Sequence, residues 1–368
     1  MKNMFLFAAV LITISVAAFP SDVMESAKNA ITLLGETVIP SLFPFMVCSN
    51  LLVALGGGEI LGKLFKNIMM PMFGVNGAGS ISLIMGLLSG YPCGGAVACT
   101  LYQNGVISKN DAHRLLSFAN NSGPLFIIGA VGIGIYQNMK IGVLLYISHV
   151  LSALAVGFFG RFFASTKSSS SPLLQSSKKS VSSVIPESMK SIINLSGYII
   201  FFAVIYRLCE KCGITQFFEK VLCALKMPPE IACLLPRGLI EMTTALKNTR
   251  ATNLCAVSAI LALGGVSILF QTMSLTKSAS LSIKPYIVGK IFQGGFSAFF
   301  MSLLLRIAPV EVSVVSTLTK EKLLAYPPYF VAFSTSVFCF IYFFLLLSSP
   351  QDGKSVCPEK QSFARTRS

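Results

Sequence analysis

The chain has 368 residues, of which 54% are hydrophobic and 12% charged, with a mean hydropathy of +0.73. A soluble globular domain carries about 25% charged residues, so water is excluded as the main solvent. The formal net charge of +15 would suggest nucleic acid in a soluble protein, but its placement between and after apolar runs assigns it to membrane topology and anionic lipid instead.

A bilayer core about 30 Å thick needs roughly 20 apolar residues per spanning helix. In chain order such runs fall at about 4–20, 38–56, 115–136, 141–164, 191–208, 253–276, 284–306 and 327–348. The fold class is therefore all-α, a polytopic membrane protein with about eight transmembrane helices. The run from Met4 to Pro20 behind Lys2 has the short h-region and small residues, Ala17 and Ala18, of a cleaved signal peptide; a retained helix is expected because no secreted domain follows. Ser21 to Val38 carries Asp22, Glu25, Lys28 and Glu36, is net acidic, and is expected to be an outer loop. Lys167, Lys178, Lys179 and Lys190 sit in a Ser-rich linker, and Lys354, Lys360, Arg365 and Arg367 in the tail. Eight spans with both termini cytoplasmic place these basic stretches inside, as the positive-inside rule requires.

The linker divides two halves in which the same order of elements recurs. Residues 1–37 form an N-terminal helix and outer loop, 38–164 a first repeat and 165–190 the cytoplasmic linker. Residues 191–306 form a second repeat, 307–348 an outer loop and last helix, and 349–368 a basic tail. Each repeat runs from a span to an amphipathic helix, a Gly/Pro-broken segment, an interrupted helix and a further span. The amphipathic pieces are Gly58 to Pro71, with Lys63 and Lys66 opposite Ile60, Leu64 and Ile68, and Thr215 to Lys226. The broken segments, Gly86 to Ala96 and Pro236 to Ala245, read as tips of re-entrant hairpins. The interrupted helices are Leu115 to Gly129, which holds Asn120, Asn121, Ser122, Gly123 and Pro124, and Ile260 to Gln271, which holds Gly264, Gly265, Ser267 and Gln271. With three spans and one hairpin per half, the second half enters the membrane with opposite polarity, giving two inverted repeats whose paired broken segments mark a binding site.

Non-helical backbone at membrane depth persists only where protein or a wet cavity satisfies it, so four breaks in corresponding places imply a cavity. Free N–H groups at half-helix ends suit an anion. Ser89 and Tyr91 flank Gly90 at the first hairpin tip, and Asn120, Asn121 and Ser122 offer neutral donors and acceptors. Glu241 is a carboxylate in an apolar run and is a site candidate by default; it either holds a coupling proton or sodium ion, or pairs with Arg237 four residues earlier. Gln271 serves either as a site residue or as interhelical glue.

The ten cysteines read as small buried hydrophobes in a reducing cell, and Cys209 with Cys212 lacks the second pair of a structural zinc site. His113 reads as interfacial, and His149, on an apolar helix, as bonded to a neighbour. Neither HExxH, GxSxG nor a Walker-type loop occurs. No enzyme activity, metal or cofactor is expected, and any energy source is a gradient of H+ or Na+.

Three stretches carry a resemblance: IPSLFPF at Ile39 to Phe45, GLLSGYP at Gly86 to Pro92, and SFANNSGPLFI at Ser117 to Ile127, with Gly238 to Glu241 and Gly264 to Ser267 in the second half. Over nearly its whole length the chain resembles the YlbJ (SpoVV) family of sporulation integral membrane proteins. The resemblance implies Gate or nucleoside-recognition repeats, distantly similar to concentrative nucleoside transporters. It further implies a carrier of dipicolinic acid across the outer forespore membrane. The small organic anion would then meet Ser89, Gly90, Tyr91, Asn120, Asn121, Ser122, Gly123, Arg237, Glu241, Gly264, Gly265, Ser267 and Gln271. Expected partners are that anion and the lipid bilayer, not nucleic acid, with homo-oligomerisation open. The rival readings are a nucleoside-type transporter and a non-transporting membrane scaffold for spore cortex assembly.

Overall fold

All regular elements among the described residues are helical, the expected outcome where the backbone must satisfy its own hydrogen bonds in lipid. The computed structural model describes residues 2–55, 57–162, 181–249 and 253–310. The expected last span at 327–348, the basic tail and much of the linker fall outside them.

Helices α1 (Lys2–Ala18) and α2 (Pro20–Leu33) meet at a 98° bend. The acidic segment expected as an outer loop is thus largely α2, which continues through a π-helical turn, Leu34–Val38, into α3 (Ile39–Ala54). Its amphipathic spacing explains the difference: Ala30 and Leu34 are buried one turn apart, and Asp22 is held by Arg207 at 2.8 Å and Lys211 at 3.1 Å.

Then come α4 (Gly57–Phe73), a sharp turn, α5 (Ser80–Ser89) and α6 (Cys93–Gln103), followed by α7 (Lys109–Phe118). Ile60, Leu64 and Ile68 form an exposed apolar stripe on α4, while Met69 and Phe73 are buried, as expected of a helix lying between lipid and core. Ser108 and Asp111 form a capping box that starts α7. The apolar run 115–136 is not one helix: α7 stops at Phe118, and a π-helix, Leu125–Ile135, follows the break. Helix α8 (Met139–Gly160) closes the first half.

The second half repeats the order with α9 (Val184–Lys211), amphipathic α10 (Ile214–Ala224), the pair α11 (Pro229–Ile240) and α12 (Met242–Thr249), the pair α13 (Leu254–Leu263) and α14 (Gly265–Ser278), and α15 (Lys284–Ile307). Helix α9 begins inside the segment read as linker. Among the described residues four helical segments are long and apolar enough to cross a bilayer, and six if two bent pairs each count once. Phe201, Phe217, Phe292 and Phe299 are exposed, as suits surface that faces lipid tails.

The halves interlock through α15, which packs on α13 and on α7 and α8 of the first half. The seam uses small residues and hydroxyls: Ser258 lies 2.8 Å from Ser148 and 2.6 Å from Ser297, the mode by which helices associate where lipid offers no hydrophobic drive. A Cβ at Gly289 would run into the Ser117 carbonyl, whereas one at Gly295, on the same helix, meets nothing within 4 Å. Gly289→Ala should therefore lower stability by about 1–3 kcal/mol. Gly295→Ala should raise it by about 0.5–1 kcal/mol through helix propensity. Thermal unfolding of the two purified variants in detergent checks the opposite signs.

Candidate functional site

The four breaks converge, and each is held by side chains that satisfy stranded backbone groups. At the first, α5 ends on Ser89, Gly90 turns with φ +88°, and the cis Tyr91–Pro92 peptide leads into α6. Tyr146 donates to the stranded Leu87 carbonyl at 3.0 Å. At the second, after α7, Asn120 accepts from the Gly95 N–H at 3.3 Å and donates to Thr272 Oγ1 at 3.0 Å. Asn121 donates to the Phe118 carbonyl at 2.7 Å. The Ser122 N–H donates to His149 Nε2 at 3.1 Å, so that histidine does bond a neighbour. Gly90 and Gly123 sit backbone to backbone, leaving no room for a Cβ at Gly90.

In the second half, α11 ends at Ile240 and Glu241 turns out of the helix with φ −148° and ψ 110°. Its carboxylate accepts from the N–H groups of Thr243 at 3.0 Å and Thr244 at 2.6 Å, capping α12 as an N-cap carboxylate should. Gly264 and Gly265 break α13 from α14 with φ of +78° and +74°. That break lies against the first hairpin tip: the Tyr91 hydroxyl faces the Ala262 carbonyl at 3.5 Å.

An inner cavity of about 110 Å³ opens between these breaks. Among the residues singled out in the sequence, Ser89, Gly90, Tyr91, Ser122 and Gly123 line it from the first half, and Glu241, Ser267 and Gln271 from the second. Ser89 Oγ, Ser122 Oγ and Gln271 Oε1 are buried without a hydrogen-bond partner, so the wall offers unused polar capacity. An outer cavity of about 500 Å³ shares Leu33, Phe126, Ala130, Ile199, Glu241 and Thr243 with the inner one and adds Glu25, Asn29 and Arg207. Its volume lies in the range of small-molecule sites.

Other expected residues lie elsewhere. Asn120 and Asn121 stand behind the cavity wall, fully buried. Gly264 abuts Tyr91, and Gly265 abuts the carbonyls that end α11. Arg237 does not pair with Glu241: it bonds Glu219 at 2.9 Å, Glu210 at 3.4 Å and the Cys233 carbonyl at 2.8 Å. The physical reason is that α11 stops before Glu241, which takes that carboxylate off the helical face an i,i+4 pair requires.

The sequence reading missed Lys290 and Gln293. Lys290, 4% exposed, donates to the Tyr91 hydroxyl at 3.0 Å and to Gln293 Oε1 at 2.7 Å. Gln293 donates onward to Asn121 Oδ1 at 2.8 Å. The ammonium stands 4.9 Å from the Tyr91 ring centroid and 5.8 Å from that of Tyr286. The available signal was a lysine in the middle of an apolar run, which calls for the same scrutiny as Glu241. Among the described residues no group of three His, Cys, Asp or Glu is placed to hold a metal.

The fold and the site together define a polytopic, all-helical membrane protein whose broken helices meet around a largely apolar cavity edged by a few polar groups. The chain is 31% identical over 326 residues, covering 80% of each chain, to "Sporulation integral membrane protein YlbJ" of Bacillus subtilis (strain 168), and it belongs to that family of sporulation membrane proteins. No family model and no solved structure matches it.

Because Asn120 bridges the first-half break to α14 of the second half, Asn120→Ala should strand the Gly95 N–H. The expected cost is on the order of 1–3 kcal/mol, read as a lower unfolding temperature with the helical signal of the folded state unchanged.

Proposed function

We propose that the protein is a sporulation transporter, and not an enzyme, that moves a small organic anion, dipicolinic acid, across the outer forespore membrane. The observation that carries this reading is the cavity at which broken segments of both halves meet, with Ser89, Ser122 and Gln271 presenting unpartnered polar atoms. Secondary transporters place substrate sites at such junctions of discontinuous helices. The matching order of elements in the two halves supports reading them as inverted repeats of the Gate type. Membership of a sporulation family supports the setting. Glu241, at the border of the inner and outer cavities, is the candidate to take part in coupling to H+ or Na+.

The test is dipicolinate content in spores of a strain deleted for this gene and complemented with wild type, Glu241→Gln or Asn121→Ala. On this reading the deletion strain retains the acid in mother cells while its spores lack it. Both variants should match the deletion at normal protein levels. Spores of the variants that fill normally would instead favour a membrane scaffold with no substrate cavity.

A further inference from the structure

Lys290 is buried among neutral groups: the Tyr91 hydroxyl, the Gln293 amide and two aromatic rings. Among the described residues no carboxylate lies within ion-pairing distance of it. Glu241, the carboxylate that lines the inner cavity, spends its charge on the first N–H groups of α12. Buried charges are ordinarily paired, and Lys290 has only neutral partners in the protein, so a counter-charge would have to come from elsewhere.

The surroundings of Lys290 fix its orientation. The Phe118 carbonyl can only accept, so Asn121 must turn its NH₂ toward it and its oxygen toward Gln293. Gln293 must then turn its own NH₂ to Asn121 and its oxygen to Lys290. A backbone carbonyl thus sets the polarity of the whole chain, which ends in an acceptor suited to a cation. Two of the three ammonium donors are used, and aromatic faces add cation–π attraction. The ammonium is held one side chain, Tyr91, behind the inner cavity.

Resting on the anion-transport reading above, we propose that Lys290 is the charge-selecting residue of the cavity, a lysine for which a bound carboxylate supplies the counter-charge, so that the site prefers a carboxylate-bearing planar ligand over its neutral isostere. In a low-dielectric wall the attraction between unit charges greatly exceeds its value in water, so the preference should be on the order of tenfold or more. The role is positional: Lys290 acts across Tyr91.

The experiment is calorimetric titration of the purified full chain in detergent with pyridine-2,6-dicarboxylate and with pyridine-2,6-dicarboxamide, which has the same ring and no charge. Wild type should bind the dicarboxylate at least about tenfold more tightly than the diamide. In Lys290→Met that ratio should fall toward one while diamide affinity is kept, an effect a merely structural role would not produce. Should Lys290→Met fail to fold, Lys290→Gln is titrated in its place. Wild type that binds the diamide as tightly as the dicarboxylate overturns the proposal without any variant, as does a folded neutral variant that keeps the wild-type ratio. Wild type that binds neither compound overturns the dipicolinate reading and this inference with it; only that outcome touches both.

Discussion

The structure depends on one constraint, that backbone groups released where a helix breaks inside a membrane must find partners in the protein. Each unpaired N–H or C=O in an apolar setting costs several kcal/mol, and four such breaks meet among the described residues. Three partners are side chains brought from other elements, Tyr146 for the Leu87 carbonyl, His149 for the Ser122 N–H and Asn120 for the Gly95 N–H, while Asn121 serves the Phe118 carbonyl from within the break. Glu241 serves two N–H groups of α12 from the break itself. The contacts from Tyr146, His149 and Asn120 are long-range, so these breaks depend on the packing of the surrounding helices. The interlock of the two halves follows, since Asn120 bonds Thr272 and Asn121 bonds Gln293 across the seam.

The same accounting explains where the cavity lies. Many groups facing the interior of the seam are consumed in pairs, down to the serine cluster of Ser148, Ser258 and Ser297, with His149 Nδ1 and the Tyr286 hydroxyl as exceptions. Groups facing the gap between hairpin tip and broken helices are not, and Ser89, Ser122 and Gln271 keep free polar atoms there. Glycine makes the gap possible, because the close approach of Gly90 to Gly123 and the left-handed turn at Gly264 and Gly265 admit no side chain at low cost.

Much of this was legible in the sequence. The breaks at Ser89 to Pro92, Asn120 to Pro124, Glu241 and Gly264 were visible because Gly, Pro, Asn and Glu interrupt apolar runs in which they are otherwise costly. The repeated order of elements was visible for the same reason. What the sequence did not reveal follows from three-dimensional neighbours. Arg237 lies four residues from Glu241, but the stop at Ile240 is a matter of backbone direction that residue spacing does not record. Ser21 to Val38 reads as an acidic loop because Asp22, Glu25 and Glu36 outweigh one lysine locally; its charge at Asp22 is met by Arg207 and Lys211, some 185 residues away in the chain. Lys290 is not marked in the sequence because α15 reads as an unbroken span.

Glu241 and Lys290 invert the electrostatics the sequence suggests. A carboxylate in an apolar run is the obvious charge, and it implies a site that attracts cations. In the folded chain that carboxylate is already matched by two backbone donors at 3.0 and 2.6 Å, where the partial positive charge of a helix start offsets much of it. Lys290 receives no such compensation, since its partners are a hydroxyl, an amide oxygen and ring faces. A lysine also suits this place better than an arginine would: its compact ammonium fits two acceptors converging from Tyr91 and Gln293, whereas a guanidinium spreads its donors over several acceptors, as Arg237 does with Glu210 and Glu219. Beside the inner cavity the carboxylate is therefore matched within the protein and the lysine is not, a difference that the net positive charge of loops and tail does not reveal.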